Sequence, residues 1–198
     1  MTHLTRRNAL VVGATGAAAA LAGCLSEVPV DGATEDTSES ADGDGSLGDP
    51  ADEVDVTIVS MPNPAFEPNV VHVEPGATVR WALEGNRHTV TAYHPDTHGP
   101  QRIPDGAEPW ESGTLSSTAD FEWTFEEEGL YDYVDTRTLC ATHEALGAVG
   151  RVVVGWPELE GQPAVEPASR ELPDAAAESI DRKSDRVREI LEEEHGRA

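Results

Sequence analysis

Lysine is all but missing from this chain: Lys183 is the only one, and 13 basic residues stand against 38 acidic ones, for a formal net charge of -25. A protein that grips phosphate backbones needs the opposite sign, so the shortage of cations excludes nucleic acid as a natural partner. The same imbalance suits a halophilic surface, where carboxylates hold water and ions and very high salt screens their mutual repulsion. The acidic residues are spread over the whole chain, in keeping with that reading. Cysteine is nearly as scarce, with two, Cys24 and Cys140. Each has a separate explanation below, so no disulfide is expected. Long apolar runs are absent as well: the small and apolar stretch 9–22 falls short of the ~20 apolar residues that a membrane-spanning helix needs.

That stretch makes sense as an export signal. Thr5-Arg6-Arg7-Asn8-Ala9-Leu10 resembles a twin-arginine motif, the apolar run follows, and Leu21-Ala22-Gly23-Cys24 resembles a lipobox, in which small residues expose the bond before a cysteine that becomes lipidated. The expected consequences are a signal peptide over 1–23, a lipid anchor at Cys24 and a place on the extracellular face of the cell membrane. Residues 24–53 follow as an acidic linker of Asp, Glu, Gly, Ser, Thr and Ala, with too few apolar anchors to offset the cost of ordering. At the other end, 157–198 reads as a proline-bearing spacer and an amphipathic helix opening at Pro173-Asp174, with Ile180, Val187, Ile190 and Leu191 toward one side. Two heptads are too few for a coiled coil, so the helix packs on its own domain or frays in solution.

Only 54–156 has the makings of a core. Val54, Val56 and Ile58 alternate with polar residues, as do Val79, Trp81 and Leu83, and Phe121, Trp123 and Phe125. Val70 to Val73 before the turn Glu74-Pro75-Gly76, His88 to Tyr93, Tyr131 to Tyr133 and Arg151 to Val154 complete about seven short strands, and no helical periodicity interrupts them. The pattern is that of an all-β antiparallel sandwich.

Chemistry concentrates near the end of that domain. Cys140-Ala141-Thr142-His143 sets a thiol and an imidazole three residues apart at the mouth of a strand, where both can turn toward one ion, and His88 lies upstream in Asn86-Arg87-His88-Thr89-Val90. A soft thiolate with imidazoles favours copper or zinc over magnesium or calcium. His94 and His98, in the proline-rich loop 94–110, lack a soft partner and read as exposed loop histidines, and His72 reads as a surface histidine beside an acidic turn.

Taken in order, Phe66-x-Pro68, Pro75-Gly76-Ala77-Thr78-Val79-x-Trp81, His88-Thr89-Val90, Gly129-x-Tyr131-x-Tyr133 and the Cys140 loop resemble the cupredoxin superfamily, and within it the plastocyanin-like halocyanins. The resemblance implies a Greek-key β-sandwich and one type 1 copper ion held by His88, Cys140 and His143. Thr89 is then a hydroxyl bridging the two ligand loops, and His143 lies at an exposed apolar edge near Ala145 and Leu146. It implies a monomeric, membrane-tethered carrier of single electrons between redox partner proteins, not an enzyme. The chain departs from the pattern twice. Ala148 stands at the axial methionine position, leaving that position empty or filled by water or a backbone carbonyl, and Met61 lies in the wrong segment to replace it. Asp135 occupies the place of the family's cysteine, two residues after Tyr133, so that 135–139 reads as an insertion before Cys140. Two further readings stay open: a small copper enzyme or open, non-blue copper site, and a metal-free binding module on the same fold.

Overall fold

The computed structural model describes residues 43–85, 87–116, 119–138, 141–168 and 170–196, all within the compact unit Ser38–Ala198. Cys24, with the expected signal peptide, and Cys140 lie outside the described residues.

One long strand sets the architecture. β3 (Val70–Glu84) follows β1 (Ala51–Val59) and β2 (Ala65–Glu67), and its 15 residues serve two sets of neighbours. Its first residues, Val70 to Val73, run parallel to β7 (Val149–Val154), while Ala77 to Trp81 run antiparallel to β5 (Phe121–Phe125). The expected turn at Glu74-Pro75-Gly76 is therefore a change of partner within a continuous strand, with Gly76 at φ 89°, a left-handed conformation that glycine adopts without penalty. The order is β2-β1-β3-β7-β6-β4, with β5 also on β3; β4 is Thr91–Ala92 and β6 is Gly129–Val134. Not every pair is antiparallel as expected. β1 with β3, and β3 with β7, are parallel, because the 60–69 connection returns the chain before β3 starts.

Folding over through β3 places Val56, Ile58, Val79 and Trp81 against Val71, Val73, Tyr131, Tyr133, Val152 and Val154 in one buried cluster. Trp81 and Tyr133 meet edge to face at 5.3 Å between ring centres. Side chains alternate across a strand, so the residues between these point the other way. Val70, Leu130, Val134, Val149 and Val153 face out of the sandwich and are covered by α1 (Asp174–His195) through Ala176, Ile180, Val187 and Leu191. Both faces of β6 and β7 are thereby buried. The helix is a third layer of the fold, and no described helix is long and apolar enough to cross a membrane.

Order also begins earlier than the linker reading implies. Residues 43–50 form a turn that feeds β1: the His72 amide donates to the Gly45 carbonyl at 2.9 Å, and the Gly48 amide donates to His72 Nδ1 at 3.1 Å. His72 is not a surface histidine but is fully buried, its Nε2–H donating to the Gly155 carbonyl at 2.6 Å. Burial pushes its pKa down and keeps the ring neutral.

Candidate metal centre

His88 does not lie in a regular strand as the sequence suggests; it forms an isolated bridge with Leu115 just before β4. Asp135 follows the last residue of β6. His143 opens a short 3-10 turn (Glu144–Leu146), held by its amide donating to the Arg137 carbonyl at 2.8 Å and closed by Gly147 at φ 84°. These three segments meet at one end of the sandwich. All three side chains are buried, and their candidate ligand atoms lie within 4.8 Å of one another.

Asp135 is the hub of this group. His88 Nδ1 and His143 Nδ1 each lie 2.5 Å from its Oδ2, with the ring centres 4.8 Å apart. Its other oxygen, Oδ1, accepts from the amides of Thr89 and Arg137, both at 3.0 Å, and from the Thr89 hydroxyl at 3.2 Å. Burial alone would raise the Asp135 pKa, but the bonds from His88, His143 and the Arg137 amide outweigh it and hold the carboxyl below its ordinary range. The Thr89 hydroxyl also accepts from the Thr136 amide at 2.7 Å, so this residue links the segment of His88 to that of Asp135. Outside the group, the Ser60 hydroxyl meets His88 Nε2 at 2.8 Å.

The loop carrying His143 is pinned from below. Glu144 is buried, with the Tyr93 hydroxyl donating to its Oε1 at 2.9 Å and His98 Nε2 at 3.0 Å from its Oε2. The Glu144 contact raises the His98 pKa, so His98 is a clasp on this loop and not a free histidine. Ala148 is buried; its amide donates to the His143 carbonyl at 3.1 Å, and its own carbonyl accepts from the Asp135 amide at 3.0 Å. That carbonyl therefore ties the loop to Asp135. Met61, next to Ser60, is 81% exposed.

His88 and His143 are thus brought together, while Cys140 lies outside the described residues. Sequence reasoning missed Asp135 as a member of the group. The signal is its position two residues after Tyr133, where the cupredoxin pattern has an anionic ligand; counting it as the start of an insertion hides that. Two imidazoles and an ionised carboxylate suit a borderline divalent ion such as Cu(II) or Zn(II).

No family model matches the chain, and no curated protein matches it. Solved structures do. A pseudoazurin from Sinorhizobium shares 21% identity at a TM-score of 0.54, covering 68% of this chain and 95% of that one. Pseudoazurins from Methylobacterium extorquens AM1 (22%, TM-score 0.53, 69% and 99%) and Hyphomicrobium denitrificans (23%, 0.52, 68% and 98%) are similar to the same extent. The fold is that of the cupredoxins. On this cupredoxin fold, the His88, Asp135 and His143 group sits on the segments to which the sequence pattern assigns metal ligands.

Proposed function

We propose that this chain binds one copper ion and carries single electrons between redox partner proteins, as a plastocyanin-like cupredoxin of the halocyanin kind held on the outer face of the cell membrane by a lipid on Cys24. The observation that carries the reading is the convergence of His88 Nδ1 and His143 Nδ1 on one anionic atom, Asp135 Oδ2, at the end of a cupredoxin fold. Bound copper would supply a one-electron Cu(I)/Cu(II) couple. The protein's own part is positional. Ser60 orients the His88 ring, Thr89 and the Arg137 amide fix the carboxylate, and Glu144 anchors the loop that presents His143. The exposed Ala145 and the 46%-exposed Leu146 beside His143 give a partner an apolar landing close to the centre.

The Asp135 contacts favour a second reading of the same site, an open, non-blue copper centre in which this carboxylate takes the thiolate's place. A Cu(II) titration of the full chain, read by visible and EPR spectroscopy, separates the readings. One equivalent binds, and His88→Ala or His143→Ala abolishes tight binding. An intense visible band that vanishes in Cys140→Ser assigns the thiolate site. A weak band with a wide tetragonal EPR pattern that changes in Asp135→Asn assigns the carboxylate site. No stoichiometric binding refutes both and leaves a metal-free module. The tether has its own check: Cys24→Ala releases protein from the membrane fraction, and a variant retained as firmly as the parent overturns the lipid anchor.

A further inference from the structure

The layer between the sheet and α1 contains an unbalanced set of charges. Asp132 is fully buried and accepts from Arg151 Nε at 2.7 Å, Arg151 Nη2 at 2.9 Å and Arg102 Nε at 2.8 Å. Both guanidinium groups then turn to neutral acceptors, the Ala164 carbonyl for each and the Ser184 hydroxyl for Arg151. Lys183 is a third buried cation here, its Nζ 2.6 Å from the Ser179 hydroxyl. Among the described residues, three buried cations here against one buried carboxylate leave a balance of two positive charges. Arg151 Nη1 is buried with no acceptor among the described residues. Uncompensated buried charge and an unmade hydrogen bond are both costly, so such an arrangement calls for an anion.

The seam has an opening. A cavity of about 180 Å³ at its edge is lined by Asn69, Val70, Ser179, Lys183, Arg182 and Arg186, with no carboxylate among them. Asn69 lies beside the buried arginine, its carbonyl accepting from the Arg151 amide at 3.0 Å. In a chain of 38 acidic and 13 basic residues, a recess whose charged lining is wholly cationic runs against composition, even though the exposed Arg182 also reaches Glu178 at 3.7 Å and Arg186 also borders a neighbouring recess with Asp44, Glu53 and Asp55. We propose that this recess binds a small inorganic oxyanion of the phosphate class, gripped by Lys183, Arg186 and Arg182 with the Asn69 amide, and that the bound anion completes the charge balance between sheet and helix. Burial, with smaller contributions from Arg151 and Arg182 and against the pull of Asp132, brings the Lys183 pKa down to about 8, as expected of an amine withdrawn from water without an anion in contact.

Inorganic phosphate, titrated into the full chain at constant ionic strength with sodium chloride as the balancing salt, tests the proposal through the melting temperature and the 31P linewidth. The expected result is a saturable rise and a saturable broadening. Arg186→Gln changes an exposed side chain and weakens the apparent affinity roughly tenfold, the loss of one charge-assisted hydrogen bond, whereas Arg188→Gln outside the recess leaves it unchanged. Bound phosphate also protects Lys183, the only lysine, from amine acetylation, which is read by mass spectrometry. Absence of saturation, an equal response to chloride alone, or undiminished affinity in Arg186→Gln combined with Lys183→Met overturns the site.

Discussion

Asp135 divides its two oxygens between two tasks, Oδ1 toward backbone amides and Oδ2 toward two imidazoles. A carboxylate fixed this way is a hard, localised donor that favours Cu(II) over Cu(I), whereas a thiolate is soft and covalent and suits both states. On the carboxylate reading of the site, the identity of residue 135 therefore bears on both colour and potential. Asp135→Cys places sulfur where the carboxylate oxygens now sit. The expected outcome on Cu(II) addition is an intense thiolate charge-transfer band and a higher potential than the parent's. A folded, copper-loaded Asp135→Cys protein with the parent's spectrum would show that position 135 does not face the metal. That His88, His143 and Thr89 come together was legible in the sequence, because each sits in a short motif whose order along the chain carries information. Asp135 stands two residues after Tyr133, in the family's cysteine position, but a carboxylate there reads equally as the first residue of an insertion; only the fold brings it between the two rings.

Among the elements, α1 shows the same division. The spacing of Ile180, Val187, Ile190 and Leu191 predicts an apolar face; Ile180, Val187 and Leu191 are fully buried against the outer side of β6 and β7, and Ile190 is half-buried at the edge of that face. What spacing cannot predict is that Asp132 and Arg151, at alternate positions of those strands, point the same way and meet Ser184 and Lys183 from the helix. Asp132→Asn removes the only carboxylate between two guanidinium groups and is expected to cost ~3 to 5 kcal/mol, seen as a lower denaturation midpoint. Burial raises the Asp132 pKa, but Arg151 and Arg102 outweigh it and bring it below the ordinary 3.8. Its stabilisation is present above that value and is lost as pH falls toward its folded-state pKa. Lys183 has the opposite sign. Its folded-state pKa of about 8 lies below the ordinary 10.5, so the unfolded chain holds more protons between these values, and this group's contribution to stability grows as pH rises through that window. The gain is on the order of 3 kcal/mol, set by burial and by Arg151 and Arg182 against the opposing pull of Asp132. Urea denaturation in phosphate-free buffer at about pH 7.5 and about pH 10 measures it. Lys183→Met should abolish the difference, and a parent protein equally stable at both values would show that the amine is not held in this field.

At the scale of the molecule, composition reads the surface well and the topology poorly. Seven short strands indicate a sandwich, but the sharing of β3 between two sets of neighbours depends on a backbone change at Gly76 inside what looks like a turn signal. The charge needs no such detail. With 38 acidic and 13 basic residues, and with cations such as Arg102, Arg151 and Lys183 withdrawn into the interior, the surface is left strongly negative. Exposed pairings relieve little of this: Arg80 alone serves Asp55, Asp120 and Glu122, and solvent screening and side-chain entropy leave such exposed bridges with little net effect. Repulsion among the remaining carboxylates acts over about 10 Å in ~0.1 M salt and about 3 Å in ~1 M salt, so added sodium chloride should stabilise the folded chain continuously across that range. The melting temperature is expected to rise with salt, and to rise equally in Arg186→Gln and Lys183→Met, because the effect belongs to the whole surface and not to the recess at the helix seam. A flat or falling melting temperature between these salt concentrations would mean that the acidic surface is already neutralised by bound counterions. A slope that disappeared in Arg186→Gln would instead trace the salt response to the single anion site.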